Sequence, residues 1–209
     1  MSDISILDTK SANFHSVKKA VDKFNPNNVI TSNEKIISKS KGLIIPGVST
    51  TDTVLNNIKE LNLERTILDF YTSGKPILCI CVGMQILFER SAEGIMPGLG
   101  ILKGSVKNIP QKKEQQNFKV PHMGWNQLEI IEKTDIFDGI ANNSNFYFVH
   151  SYYCDPKESK IVTGNTTYSI EMCVSLKKNN LYAVQFHPEK SSQDGLKIYE
   201  NFINIVDRN

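Results

Sequence analysis

The sequence has 209 residues, of which 40% are hydrophobic and 22% charged, and its formal net charge is +2. A chain of this length favours one domain, residues 1–209, able to bury roughly 70% of its unfolded surface without disulfide staples. Basic and acidic residues are interspersed and no apolar run reaches transmembrane length, which removes the electrostatic case for nucleic acid and the hydropathic case for a membrane.

Residues 4–7 read as a strand. Asn13 can cap a helix in which Val17, Ala20, Val21 and Phe24 recur at helical spacing. Residues 43–45 form a second strand, ended by Pro46-Gly47, and residues 52 to about 71 read as one helix. Pro76 and the apolar run 77–80 predict a buried strand, with a helix from 84 to about 90 after it. Strand and helix in alternation predict βαβ units and a parallel sheet with helices on both faces. The second half changes character. Residues 106–109, 127–131, 146–149, 161–162, 169–176 and 181–185 read as strands, with a hairpin turn at Asn179-Asn180 and a polar loop over 111–116. Ser191 or Ser192 caps a last helix, with Leu196, Tyr199, Ile203 and Val206 on its inner face. No linker, repeat or low-complexity tract intervenes. The expectation is an α/β domain with an added antiparallel region.

The four cysteines, Cys79, Cys81, Cys154 and Cys173, contain no C-x-x-C pair, so zinc-site spacing is absent. The first seven residues lack the basic and long apolar regions of a signal peptide, and the expected setting is cytoplasmic, with mostly buried thiols. Cys81 differs from the others by position. It follows the apolar strand directly and precedes Gly83 and a helix, the strand-to-helix geometry of a nucleophile elbow. The helix N-terminus favours an anionic sulfur there, and the N–H of Val82 is placed to bind an oxyanion. Position alone serves a buried structural cysteine equally well, and for Cys79, inside the strand, the structural role wins.

Histidine occurs at 15, 122, 150 and 187. His187 stands out because Pro188 and Glu189 follow it. A residue before proline is pushed to extended backbone, where residues i and i+2 point to the same side. Glu189 can then orient the His187 imidazole, the logic of a Cys-His-acid triad. Without further context, a surface His-Pro-Glu turn accounts for the same residues.

The context comes from two longer segments. Pro76-Ile77-Leu78-Cys79-Ile80-Cys81-Val82-Gly83-Met84-Gln85 resembles the nucleophile segment of the class I (triad) glutamine amidotransferases, and Val184-Gln185-Phe186-His187-Pro188-Glu189 resembles their His/Glu segment. Residues 121–126 (Pro-His-Met-Gly-Trp-Asn), residues 146–153 and Lys190-Ser191-Ser192 are similar to the branch of that family that serves imidazole glycerol phosphate synthase. The resemblance runs from about residue 4 to residue 202. It implies a flavodoxin-like three-layer α/β/α fold with a mostly parallel central sheet. It implies that Cys81, His187 and Glu189 release ammonia from glutamine through a glutamyl thioester. Val82 and the segment containing Gly47 and Val48 would bind the oxyanion, and Gln85 and Glu93 would hold the substrate. Ammonia would pass to a TIM-barrel cyclase partner (HisF), faced by Asn13, Met123, Trp125 and Lys190. No metal or organic cofactor is implied. His122 and His150 match no triad position and are expected to support loops or the interface.

Three departures from the family pattern stand out. Cys79 replaces a glycine before the nucleophile, Ser49 replaces the last glycine of the Pro-Gly-Val-Gly segment, and Thr9-Lys10-Ser11-Ala12 replaces a glycine-containing turn. They leave two alternatives open: a paralogous glutaminase that feeds a sugar or polysaccharide amidotransferase, or a non-catalytic regulatory subunit.

Overall fold

The computed structural model describes residues 3–10 and 14–209. The helix cap and partner contact expected at Asn13 lie outside the described residues. The first half runs β1 (Ile4–Leu7), α1 (Phe14–Asp22), β2 (Asn28–Thr31), α2 (Glu34–Lys39), β3 (Gly42–Gly47), α3 (Thr51–Glu60), α4 (Glu64–Thr72), β4 (Ile77–Cys81) and α5 (Val82–Gln85). The second half runs β5 (Arg90–Ser91), β6 (Gly104–Asn108), β7 (Lys112–Lys113), β8 (Gln116–Asn117), β9 (His122–Ile130), β10 (Ser144–His150), β11 (Tyr152–Pro156), β12 (Val162–Thr167), β13 (Glu171–Lys178), β14 (Leu181–Val184) and α6 (Ser192–Arg208).

Five strands lie parallel in the order β2-β1-β3-β4-β14. This is the flavodoxin-like order. Every residue of β1, β3, β4 and β14 is buried, as expected of strands covered on both faces. The chain leaves β1 towards β2 and then returns past β1 to β3. Right-handed crossovers therefore place α1 on one face and the helices that follow β2 and β3 on the other. In accord with that, α1 packs on α6, and α2 on α4. Beyond β14 the sheet turns antiparallel, continuing through β13, β12, β9 and β10, while β11 pairs with β13 and β6. The fold is thus a flavodoxin-like α/β sandwich with an antiparallel extension.

The expected elements are recovered with differences that have physical causes. The single helix expected over 52–71 is two, because Asn62 adopts a positive φ of 55° between them. The helix expected over 84–90 is one turn, after which Arg90 and Ser91 pair with β6. The loop expected over 111–116 contains the small hairpin β7–β8. β2 and α2 escaped the sequence pattern, since β2 is a four-residue edge strand with only Thr31 fully buried and α2 has six residues. α2 is nevertheless well marked locally, as the Asn33 side chain accepts the N–H groups of Lys35 and Ile36 at 3.0 and 3.3 Å.

Candidate active site

β4 passes into α5 without a connecting residue, and Cys81 is at once the last strand residue and the helix cap. Its backbone, φ 55° and ψ −112°, lies in a region that L-residues rarely occupy. Such an elbow holds the side chain at the apex of the turn. Two glycines make room for it. A Cβ at Gly83 would lie 2.0 Å from the Ile45 carbonyl oxygen, and one at Gly47 would lie 2.9 Å from the Val82 Cβ. Gly47 is the β3 partner of Cys81, so close approach and elbow belong to one register. Cys79 is fully buried between its register partners Ile45 and Ala183, and burial pushes its thiol well above the usual range. It serves as a small apolar residue where the family carries glycine. Ser49 is not among the positive-φ residues, so its position does not demand glycine's backbone freedom. Lys10 does take a positive φ, 56°, in the turn where the family carries glycine.

β14, the parallel neighbour of β4, leads into the second half of the site. His187 is extended, at φ −101° and ψ 96°, and its Nδ1 lies 2.8 Å from Glu189 Oε1. Glu189 Oε2 accepts the Tyr199 hydroxyl of α6 at 3.3 Å. The imidazole and the carboxylate are both buried. Burial opposes the charged imidazolium, but the Cys81 thiolate charge, a hydrogen bond with Cys81 and the Glu189 carboxylate outweigh it, and the His187 pKa is raised. Ser191 holds the N-cap position of α6 but makes no side-chain cap. Its hydroxyl donates to the His187 carbonyl at 2.7 Å and accepts the Tyr147 N–H at 2.9 Å, while the His187 N–H donates to the Tyr147 carbonyl at 2.9 Å. The expected cap is therefore a clamp that fixes the histidine backbone to β10.

Val48, Cys81, Val82, Gln85, Glu93, His187 and Lys190 line one cavity of about 400 Å³. The structure thus brings most of the expected site residues together, with Gly47 behind the elbow rather than in the cavity wall. Glu93 Oε2 accepts the Thr51 N–H at the start of α3 at 2.6 Å, which anchors the loop carrying it. Gln85 donates from Nε2 to the Tyr152 carbonyl at 3.3 Å and to Gln185 Oε1 at 3.0 Å. Gln185 in turn donates to Cys81 Sγ at 3.5 Å. Sequence reasoning passed over Gln185, Tyr199 and the clamp made by Ser191. A signal for Gln185 existed: it stands two residues before His187 on extended chain, and a polar residue there must be buried with a partner. A larger cleft of about 830 Å³, between residues 130–142 and α6, is lined by neither cysteine nor histidine.

Met123 and Trp125 project from β9 at 62% and 55% exposure. Trp125 meets the Tyr147 ring edge-on at 6.1 Å, and Lys190 Nζ lies over the same Tyr147 ring, 5.8 Å from its centroid. Of these residues Lys190 also lines the cavity, so the exposed amphipathic patch on β9 is linked to the site through Tyr147 and Lys190. His122 and His150 are buried next to it, with His122 Nδ1 3.0 Å from His150 Nε2.

A strained cysteine elbow and a buried His–Glu pair just beyond the next parallel strand define a thiol-dependent acyl-transfer site built on a flavodoxin-like sheet. The model of the family "Glutamine amidotransferase class-I" matches residues 5–206. The HisH subunit of imidazole glycerol phosphate synthase from Trichormus variabilis is 40% identical over 205 residues, covering 97% of this chain and 96% of that protein. HisH 1 from Campylobacter jejuni strain RM1221 is 41% identical over 204 residues, covering 97% and 100%. Among solved structures, a glutamine amidotransferase superposes with a TM-score of 0.75 at 16% identity, covering 99% of this chain and all of that one. The chain belongs to the class I glutamine amidotransferase family and, within it, to the HisH branch.

Proposed function

We propose that this chain is the glutaminase subunit of an imidazole glycerol phosphate synthase, releasing ammonia from glutamine for a TIM-barrel cyclase partner of the HisF type. The observation that carries the reading is Cys81, held in its elbow with the His187–Glu189 pair across the same cavity. Cys81 gives its thiol proton to His187, and its Sγ adds to the side-chain amide carbon of glutamine as the C=O π bond opens to an oxyanion. The Val82 N–H and the end of β3, Gly47 and Val48, receive the developing oxyanion. His187 delivers that proton to the amide nitrogen as the C–N bond breaks, so ammonia departs and Cys81 is left as a glutamyl thioester. His187 then takes a proton from water, whose oxygen attacks the thioester carbon, and returns it to the sulfur as glutamate forms. Glu189 stabilises the imidazolium at both stages. Gln85 and Glu93, on the cavity wall, hold the polar ends of the substrate.

The partner is expected on the patch formed by Met123, Trp125 and Lys190. Exposed aromatic and sulfur side chains beside a cation that lines the cavity suit a protein interface. The reading takes residues 1–209 as one domain, supported by a sheet that runs without interruption through both halves. A cytoplasmic setting is supported by four free cysteines, and no helix among the described residues is long and apolar enough to cross a membrane. The decisive experiment measures glutamate release from glutamine with the cyclase and its acceptor present, for wild type and Cys81→Ala. Turnover that disappears in Cys81→Ala supports the reading. Wild-type protein without turnover overturns it.

A further inference from the structure

His122 and His150 lie outside the triad, yet a directed chain of hydrogen bonds ties them to the Tyr152 carbonyl, which Gln85 of the site also reaches. The direction is fixed from both ends by backbone groups, whose roles do not change. At one end, His150 Nδ1 is 2.8 Å from the Tyr152 carbonyl oxygen, which only accepts, so His150 carries its proton on Nδ1. A neutral His150 then offers Nε2 as an acceptor, and His122 Nδ1, 3.0 Å away, must donate. At the other end, Asn126 Oδ1 accepts the Gln127 N–H at 2.8 Å, and Nδ2 donates to the Thr167 carbonyl at 3.0 Å. The Asn126 amide is thereby oriented so that Nδ2 also faces His122 Nε2 at 3.2 Å as donor. His122 must again accept on Nε2 and donate from Nδ1. The two ends impose the same tautomer on both rings.

Both rings are buried, which pushes each pKa down to about 4 and keeps both neutral at ordinary pH. His122 is further gripped by stacking on Phe148 and Tyr168, at 5.0 and 4.3 Å between centroids. The chain ends where the active site begins. The same Tyr152 carbonyl that receives His150 also receives Gln85, which donates to Gln185, which donates to Cys81 Sγ. Asn126, His122, His150, Tyr152, Gln85, Gln185 and Cys81 therefore form one unbroken polar connection from β9 to the sulfur. Met123 and Trp125 of β9 are exposed at its outer end.

We propose that His122 and His150 are positioning residues for the glutaminase reaction: locked in the Nδ1–H tautomer, they hold the Tyr152 carbonyl, and through it Gln85 and Gln185, in register with Cys81. The inference rests on the glutaminase reading above and gives these histidines a part in the reaction rather than in loop support alone.

Two measurements test it. The imidazole nitrogen spectrum of the uniformly nitrogen-15-labelled chain needs no turnover. It is expected to show both rings as Nδ1–H tautomers with a scalar coupling across the N–H···N bond, the His122 signals identified by their loss in His122→Asn and the His150 signals by their loss in His150→Asn. An Nε2–H tautomer at either ring overturns the inference. The second is glutamine turnover with the cyclase and acceptor. His122→Leu removes the donor to His150 and is expected to lower kcat by about tenfold to a hundredfold, with a smaller change in KM. His122→Asn keeps a donor at the Nδ1 position and is expected to restore kcat to within about threefold of wild type, an allowance for its lost Nε2 acceptor. Equal kcat in His122→Leu and wild type, or no recovery in His122→Asn, overturns the positioning role. Should His122→Leu fail to fold, the asparagine variant and the spectrum decide the matter. A wild type without turnover overturns the glutaminase reading and the positioning role together, whereas an Nε2–H tautomer in a turning-over enzyme overturns the positioning role alone.

Discussion

Replacing Glu189 by glutamine isolates what the carboxylate contributes to His187. The substitution keeps shape and leaves an acceptor for the Nδ1–H, but removes the negative charge 2.8 Å from a buried ring. A hydrogen bond to a charged group contributes about 1.5–3 kcal/mol. At 1.36 kcal/mol per factor of ten, kcat/KM is expected to fall by roughly tenfold to 150-fold. The pH dependence carries a second signature. Burial works against the His187 imidazolium, while Cys81 and then Glu189 work for it, with the balance raised to about 10. Loss of the carboxylate lowers that value, so the alkaline limb of kcat/KM moves to lower pH. The same raised pKa has a consequence for the fold. The pairing stabilises fully below the unfolded histidine value near 6.5, and that contribution is lost as pH rises through the raised folded value. Steady-state glutaminase assays across pH with the partner present, and urea unfolding at matched pH, measure both. A Glu189→Gln enzyme with kcat/KM within about threefold of wild type and an unmoved alkaline limb would refute the role given to this pair, the threefold margin being well under the 1.5 kcal/mol lower bound.

Three further predictions follow from the geometry. Gly83→Ala places a Cβ 2.0 Å from the Ile45 carbonyl oxygen, a backbone atom that cannot swing aside, and urea unfolding is expected to show a loss of about 2–3 kcal/mol. Cys81→Gly removes the nucleophile but relieves the positive φ, so its melting temperature is expected at or above that of Cys81→Ala, by up to about 1 kcal/mol in stability, despite glycine's greater chain entropy. Trp125→Ala is expected to weaken affinity for the cyclase by about thirtyfold in calorimetry while leaving the fold intact, since truncated interface aromatics often cost about 2 kcal/mol.

The parallel half of the fold was legible because its strands are short apolar runs separated by amphipathic helices, and residues 4–7, 43–45 and 77–80 all fall within observed strands. The Cys81 elbow and the His187–Glu189 pair were legible because sequence order and local geometry coincide there. An apolar strand ends at Cys81, and a proline extends the chain at His187 so that Glu189 reaches back to it. What stayed hidden depends on neighbours far away in sequence. β2 is polar enough to pass as loop and is a strand only because Ile4–Leu7 pairs with it. The part played by Ser191 depends on Tyr147, forty-four residues earlier. The His122–His150 bond joins residues twenty-eight apart through the register of β9 with β10. No periodicity announces such contacts.

The place of β14 in the sheet bears on how the chain comes to exist at all. It is the last strand to be synthesised, yet it lies between β4 and β13 in the middle of the sheet, and His187 follows directly from it. Until it arrives, the growing polypeptide carries β4 as an open apolar edge, a template for unwanted pairing with other chains. Cys81 is then already in place, and the His187–Glu189 pair is not. A ribosome-bound chain therefore passes through a stage in which it needs shielding and has no means of consuming glutamine. The closing of the sheet and the onset of chemistry are one event in its biogenesis.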